Sequence, residues 1–352
     1  MADGDNANMQ LRIWDGDWGI PSVDHKCLSV MAYCRFSTVP IKFVKTNNPW
    51  RSPSGELPVL DSDGKTVTGV SHIFSCLRKQ RWGTDYSLTG RQSADILAFA
   101  ALIEDKLMPA LDYMWWVETK TYVDLTRPWY VKALPFLLKL YLPSARQRAT
   151  ENRARFCKGH ELMSDTDLEN KLYKEAKECM NLLSIKLGEN NYFFGSTPSS
   201  LDALVFGALA PLLKVPFPVT ILRNHLKGCT NLWNHCQRIL DNYFPLSPEE
   251  ADTLRKKNDE RSKQTEVLTE FPHKKRNMFI AGVIAVAAMI SYALLSGLIE
   301  IEVLTDDGDE DGDSSVNEST TRPPDFNQFD GLFENEDDAE QEEGDEQYDR
   351  ED

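Results

Sequence analysis

The chain has 352 residues, 41% of them hydrophobic, and a net charge of −16 at neutral pH. That length holds one or two globular domains with a sizeable core. Seven cysteines, an odd number with no C-x-x-C pair, fit thiols kept reduced in the cytosol better than a disulfide framework. The acidity is local: from Glu300 onward 23 Asp and Glu stand against Arg322 and Arg350, a net of −21, which leaves +5 for residues 1–299.

The N-terminus, Met1-Ala2-Asp3-Gly4-Asp5, is acidic and lacks the apolar stretch of a secretory signal. Leu11-Arg12-Ile13-Trp14 alternates as a half-buried strand does and runs into the turn-rich Asp15-Gly16-Asp17. Asp24 to Phe36 places Cys27, Leu28, Met31 and Ala32 at helical spacing, and Val39 to Val44 alternates again. Leu57-Pro58-Val59-Leu60, followed by Asp61-Ser62-Asp63-Gly64, predicts a strand entering a hairpin turn. A helix over Val70 to Lys79 closes a βαβ–hairpin–α unit, the first domain, residues 1–88.

Residues 89–250 predict an all-α domain. A helix beginning at Ser93-Ala94-Asp95 carries Ile96, Phe99, Ile103, Leu107, Ala110 and Met114 along one stripe. Pro109 is expected to kink it, because proline donates no hydrogen bond and crowds the carbonyl of Asp105. Leu168 to Leu187 predicts a second helix. Ser199-Ser200-Leu201-Asp202 predicts a capping box that opens a third, apolar nearly all round and central to the bundle. Residues 251–276 read as a charged linker with eight Lys and Arg and no apolar periodicity.

Met278 to Ile299 contains no charge, and at about 1.5 Å per residue it spans roughly 33 Å, the thickness of a bilayer core. Residues 277–299 are therefore predicted to form one transmembrane helix. Ala281 and Ala285, with Ala288 adjacent, give it a small-residue face that permits close helix contact. His273-Lys274-Lys275-Arg276 abuts the span, and such a basic flank favours keeping its side in the cytosol. Residues 300–352 are too acidic and too poor in apolar groups to fold alone, and predict a disordered tail able to attract basic, Arg-rich segments.

A thioredoxin-like α/β unit followed by a helical bundle resembles the glutathione transferases. Leu57-Pro58-Val59-Leu60 resembles the strand that carries that fold's cis-proline, which implies a cis bond before Pro58. Tyr192-Phe193-Phe194-Gly195 followed by Ser199-x-x-Asp202 resembles its buried capping box, with Gly195, Ser199 and Asp202 in structural roles. The match is closer to the metaxins. Asp95-Ile96-Leu97-Ala98-Phe99, Glu104-x-Lys106-Leu107-x-Pro109-Ala110-Leu111, Trp116-x-Glu118 and Trp14 are similar to that family's segments over residues 9 to about 245. The C-terminal anchor places the likeness with the anchored type in the family, while the long acidic tail is not part of the shared pattern.

The resemblance implies a non-enzymatic subunit of the mitochondrial outer-membrane sorting and assembly machinery, aiding import and insertion of β-barrel precursors. Its implied partners are the unanchored partner metaxin, the β-barrel assembly subunit, precursor proteins and motor adaptors, with no nucleic acid and no cofactor. The folded part would face the cytosol and the tail the intermembrane space. A membrane-anchored glutathione-dependent transferase and an adaptor of the endoplasmic reticulum remain as alternatives.

Catalytic signals are incomplete. A transferase needs a hydroxyl near the end of the first strand, where Ser22 is the one available. It also needs an acid before a serine, where Gly69-Val70-Ser71 has valine. Ser71 is expected instead to cap the helix that follows. His160-Glu161-Leu162-Met163-Ser164 opens like a zincin motif but lacks the second histidine, and Cys229, His235 and Cys236 form a looser cluster. Trp115-Trp116 and Trp129-Tyr130 read as core or interface anchors.

Overall fold

The computed structural model describes residues 9–270 apart from 50–51, 63 and 157–162, side chains as far as 261, and the isolated positions 282, 285, 286 and 289. Two compact units divide the chain, Met1–Pro272 and His273–Asp352.

The first unit opens with β1 (Gln10–Ile13), α1 (His25–Phe36), β2 (Lys42–Lys45), β3 (Val59–Ser62), β4 (Lys65–Thr68) and α2 (Val70–Lys79). The sheet order is β2-β1-β3-β4, with β1 parallel to β2 and antiparallel to β3. Parallel neighbours need a crossover, which α1 supplies, while the antiparallel β3–β4 pair closes through a turn in which Gly64 has φ +73°. This is the predicted βαβ–hairpin–α order, and the Leu57–Pro58 bond is cis. β2 starts later than its alternation suggests. Pro40 has no N–H for a ladder, and the Val39 N–H is used on Cys34 O at 3.0 Å, closing α1.

The helical half begins with α3 (Gly90–Leu102), capped by Thr89 and Gln92 in a capping box three residues ahead of the predicted start. A π-helical turn (Ile103–Leu107), α4 (Met108–Asp112), a second π turn (Tyr113–Val117), α5 (Thr119–Thr121), a third π turn (Tyr122–Thr126) and α6 (Arg127–Ala133) follow. The expected disturbance at Pro109 takes the form of the first π turn. The Met108 N–H reaches back five residues to Ile103 O, so the register slips just before the proline in the first turn of α4. Ile96, Ile103, Leu107, Ala110 and Met114 of the predicted stripe are all buried.

The remaining helices are α7 (Phe136–Phe156), α8 (Asp165–Leu187), α9 (Ser200–Lys214), α10 (Ile221–Gly228), α11 (Thr230–Tyr243) and α12 (Pro248–Glu270). α9 lies at the centre, as its apolar sequence implies, with thirteen of its residues buried. It packs against α1, every residue of which from Cys27 to Cys34 is buried. A Cβ on Gly207 would stand 2.0 Å from Ser29 Oγ and 2.6 Å from His25 O, so only glycine lets the two backbones come this close. This contact joins the sheet half to the helical half.

α12 corrects the reading of residues 251–276 as a featureless linker: 248–270 is helical. Its signal was local. Ser247 Oγ accepts from the Glu250 N–H at 3.2 Å, and Glu250 accepts from the Ser247 N–H at 3.0 Å, with Pro248 at the first helical position. Among the described residues no helix is long and apolar enough to cross a membrane. The predicted span 277–299 lies outside them except at the four isolated positions. His273, Lys274, Lys275, Arg276, Ala281 and the tail 300–352 also lie outside, and Ala285 is described only as an exposed helical position.

Candidate functional site

The corner between β1 and α1 is where a thiolate-stabilising hydroxyl would have to stand. The chain reverses there through Trp18 (φ +54°) and Gly19 (φ +84°), with the Ile20 N–H on Asp17 O at 3.0 Å. Asp17 is buried. It accepts from its neighbour Trp18 N–H at 2.9 Å, from Trp129 Nε1–H of α6 at 3.2 Å and from Arg261 Nη2 of α12 at 2.5 Å. The Arg261 guanidinium also lies 5.1 Å over the Trp18 ring. Trp14 packs edge-on against Tyr130 at 5.3 Å and Trp129 at 6.4 Å. One carboxylate and an aromatic cluster thus tie the corner to two helices of the other half.

Ser22 is fully buried, and its hydroxyl accepts the Asp24 N–H at 3.4 Å. Asp24 caps α1 by accepting the Cys27 N–H at 3.0 Å and stands 3.7 Å from Arg146 Nη2 of α7. Burial would raise the Asp24 carboxyl, but His25, Arg146 and the Cys27 N–H together hold it below its usual value. Arg146 rests 4.7 Å over the Trp116 ring. Arg146, which reaches Asp24 from the helical half, is therefore committed to a carboxylate and a ring. The cis-proline neighbourhood is flanked by the Lys26–Glu56 pair at 2.8 Å. Ser71 does not cap α2: the N-cap is Gly69 (φ +84°), with no side-chain bond, and Ser71 is exposed. The expectation of a serine cap fails because the helix starts at Val70, which makes Ser71 its second residue and not the one ahead of it.

The second constellation is built on Asp202. Its fully buried carboxylate accepts from the Ser199 N–H (2.7 Å), the Ser199 hydroxyl (2.6 Å), the Phe193 N–H (3.0 Å) and His235 Nε2–H (2.8 Å). The capping box read from the sequence is formed. Gly195 (φ +116°) makes the tight turn that presents Phe193, through paired Tyr192–Gly195 backbone bonds of 3.1 Å. The sequence placed His235 in a loose cluster with Cys229 and Cys236, but its partner is Asp202, 33 positions away, a pairing that no local spacing announces.

The other sequence candidates are engaged separately. Cys229 is the N-cap of α11, with Sγ 3.8 Å from Asn181 Oδ1, and Cys236 is buried, which raises its thiol. Ser164 caps α8, accepting the Asp167 N–H at 3.2 Å, while His160 to Leu162 lie outside the described residues. Trp115 packs edge-on against Phe217 at 4.8 Å, and Trp116 lies under Arg146, as core anchors do.

Residues 27–147 match the family model of an outer mitochondrial membrane transport complex protein, and residues 176–239 that of the glutathione S-transferase C-terminal domain. Over 298 residues the chain is 44% identical to metaxin-1 of Mus musculus, covering 84% of this chain and 92% of that one. Metaxin-3 of Xenopus laevis is 41% identical over 271 residues, covering 77% and 87%. A metaxin-1 homolog of Caenorhabditis briggsae is 33% identical over 318 residues, covering 84% and 98%. Among solved structures, a beta-etherase from Sphingobium covers 70% of this chain and 99% of its own at 13% identity and a TM-score of 0.47, too distant to argue from.

Proposed function

The chain belongs to the metaxin family, and from that premise we propose that it works as a non-enzymatic subunit of the mitochondrial outer-membrane sorting and assembly machinery. It aids import and insertion of β-barrel precursors through protein–protein contacts. The observation that carries this reading is the 44% identity with metaxin-1, joined by the match of residues 27–147 to an outer-membrane transport complex protein.

In this reading Met278–Ile299 is a membrane span, and the basic cluster His273–Arg276 keeps the folded part on the cytosolic face. The tail, net −21, lies toward the intermembrane space. Partners are the unanchored partner metaxin, the β-barrel assembly subunit, precursors and, for organelle transport, motor adaptors. Catalysis is not part of the role. A glutathione-dependent transferase would need an accessible hydroxyl at Ser22 and an acid ahead of Ser71, whereas Ser22 is buried and Val70 occupies the second place.

Two assays on solubilised mitochondria test the proposal. The chain should migrate with the β-barrel assembly subunit on native electrophoresis and should not be retained by immobilised glutathione. Retention that free glutathione releases would support the transferase alternative. Reticular fluorescence of the tagged full chain would move it to the other membrane.

A further inference from the structure

The first turns of α7 leave a row of large apolar side chains in water. Phe136 is 68% exposed, Leu137 74%, Leu140 68% and Tyr141 65%, whereas Leu138, on the opposite side of the same turn, is buried. At 100° per residue these four occupy one face about 140° wide. Four such residues side by side form a contiguous patch, not the scattered single apolar residues any surface carries. Pro135 and Lys132, just ahead of it along the chain, are exposed too. Lys139 lies along its edge, with Nζ 4.8 Å over the Phe136 ring.

Charge near the patch along the chain has one sign. Residues 125–150 hold Arg127, Lys132, Lys139, Arg146 and Arg148 and no Asp or Glu, and of these Arg146 is turned to Asp24. Lysines along the margin of an apolar face are depleted at protein–protein interfaces but suit the headgroup layer of an anionic bilayer, where the stem lies on apolar surface and the ammonium stays wet. Tyr141 and Phe136 supply the aromatic edges that favour the same layer.

We infer that the Phe136–Tyr141 face of α7 is a membrane-docking surface that seats in the headgroup–acyl boundary of an anionic membrane and lays the folded unit on the bilayer. The occupant is lipid, selected by the apolar face and its basic surround together. A bilayer is within reach under the reading that Met278–Ile299 is a span, and the inference rests on that reading for its location only. Binding of this class strengthens with the anionic fraction and weakens as salt rises.

The test uses the full chain reconstituted into vesicles of phosphatidylcholine alone or mixed with cardiolipin. A photoreactive p-benzoylphenylalanine replaces Leu140 or, as a second exposed apolar site, Ile185. Illumination should give a lipid adduct at position 140 several-fold above that at 185, rising with cardiolipin and falling when Lys132→Glu and Lys139→Glu are added. Equal adducts at both sites, an adduct to a second copy of the chain, or an adduct to another protein when the experiment is repeated in mitochondria would overturn it. Carbonate extraction of the same vesicles separates the two ideas. A chain released by carbonate counts against the span, whereas a retained chain with no excess adduct at 140 counts against the docking face alone.

Discussion

Asp202→Ala removes the acceptor on which four donors converge inside the helical half. The Ser199 and Phe193 N–H groups, the Ser199 hydroxyl and His235 Nε2–H would all lose their partner, at a site with no solvent exposure. A lost helix cap alone costs about 0.5–2 kcal/mol. Stranding several buried donors of a charged acceptor raises the expected loss to about 3–5 kcal/mol. At about 2–4 °C per kcal/mol for a folded unit of this size, the melting temperature of the full chain in detergent should fall by roughly 6–20 °C. Asp202→Asn should be nearly as harmful, because in either orientation its NH2 would face a backbone N–H, that of Ser199 or that of Phe193, donor against donor. Ser199→Ala removes one of the four bonds and should cost about 0.5–2 kcal/mol. Differential scanning fluorimetry of the four proteins gives the ordering directly. An Asp202→Ala melting temperature within about 2 °C of the parent would refute the reasoning, since that corresponds to under ~1 kcal/mol.

Three further outcomes follow from the same contacts. Asp24 is held below its ordinary value in the folded state, so its contribution is fully present above the unfolded value near 3.8 and fades as pH falls through the folded one. The melting-temperature gap between parent and Asp24→Asn should therefore be constant at neutral pH and close below about pH 4; a gap that widens there would contradict it. Gly207→Ala should cost about 1–3 kcal/mol by driving α9 off Ser29 and His25, and a neutral result in thermal unfolding would remove the close-approach argument. A fluorescent protein fused to residues 270–352 should reach mitochondria and lose that targeting when 273–299 are deleted, whereas diffuse fluorescence of the intact fusion would place the targeting signal elsewhere.

Much of the fold was legible where local chemistry decides it. α2 runs from Val70 to Lys79 as its periodicity indicated, and the Ser199–Asp202 spacing located the start of the central helix. α7 went unread because Pro143 and a run of arginines mask its period; its apolar residues lie at one end of the helix, not along one stripe. α12 has no apolar face to find, and only its Ser247–Glu250 cap betrays it. The site was legible by halves. Asp202 could be assigned to a cap from spacing, but nothing near it in sequence announces His235, and nothing near Ser22 announces that Arg146 closes on Asp24 from α7. Those pairings belong to the tertiary fold, in which α1 and α9 bring the two halves into contact through Gly207.

The central claim is the transport role, and assembly of a radiolabelled β-barrel precursor into mitochondria depleted of this chain tests it most directly. Assembly should fall several-fold while import of a matrix-targeted precursor is spared, and re-expressing the chain with Ser22→Ala should restore it, because the proposed role gives the Ser22 hydroxyl no catalytic part. Undiminished β-barrel assembly in the depleted organelles, or rescue that requires the Ser22 hydroxyl although Ser22→Ala folds normally, would contradict the account.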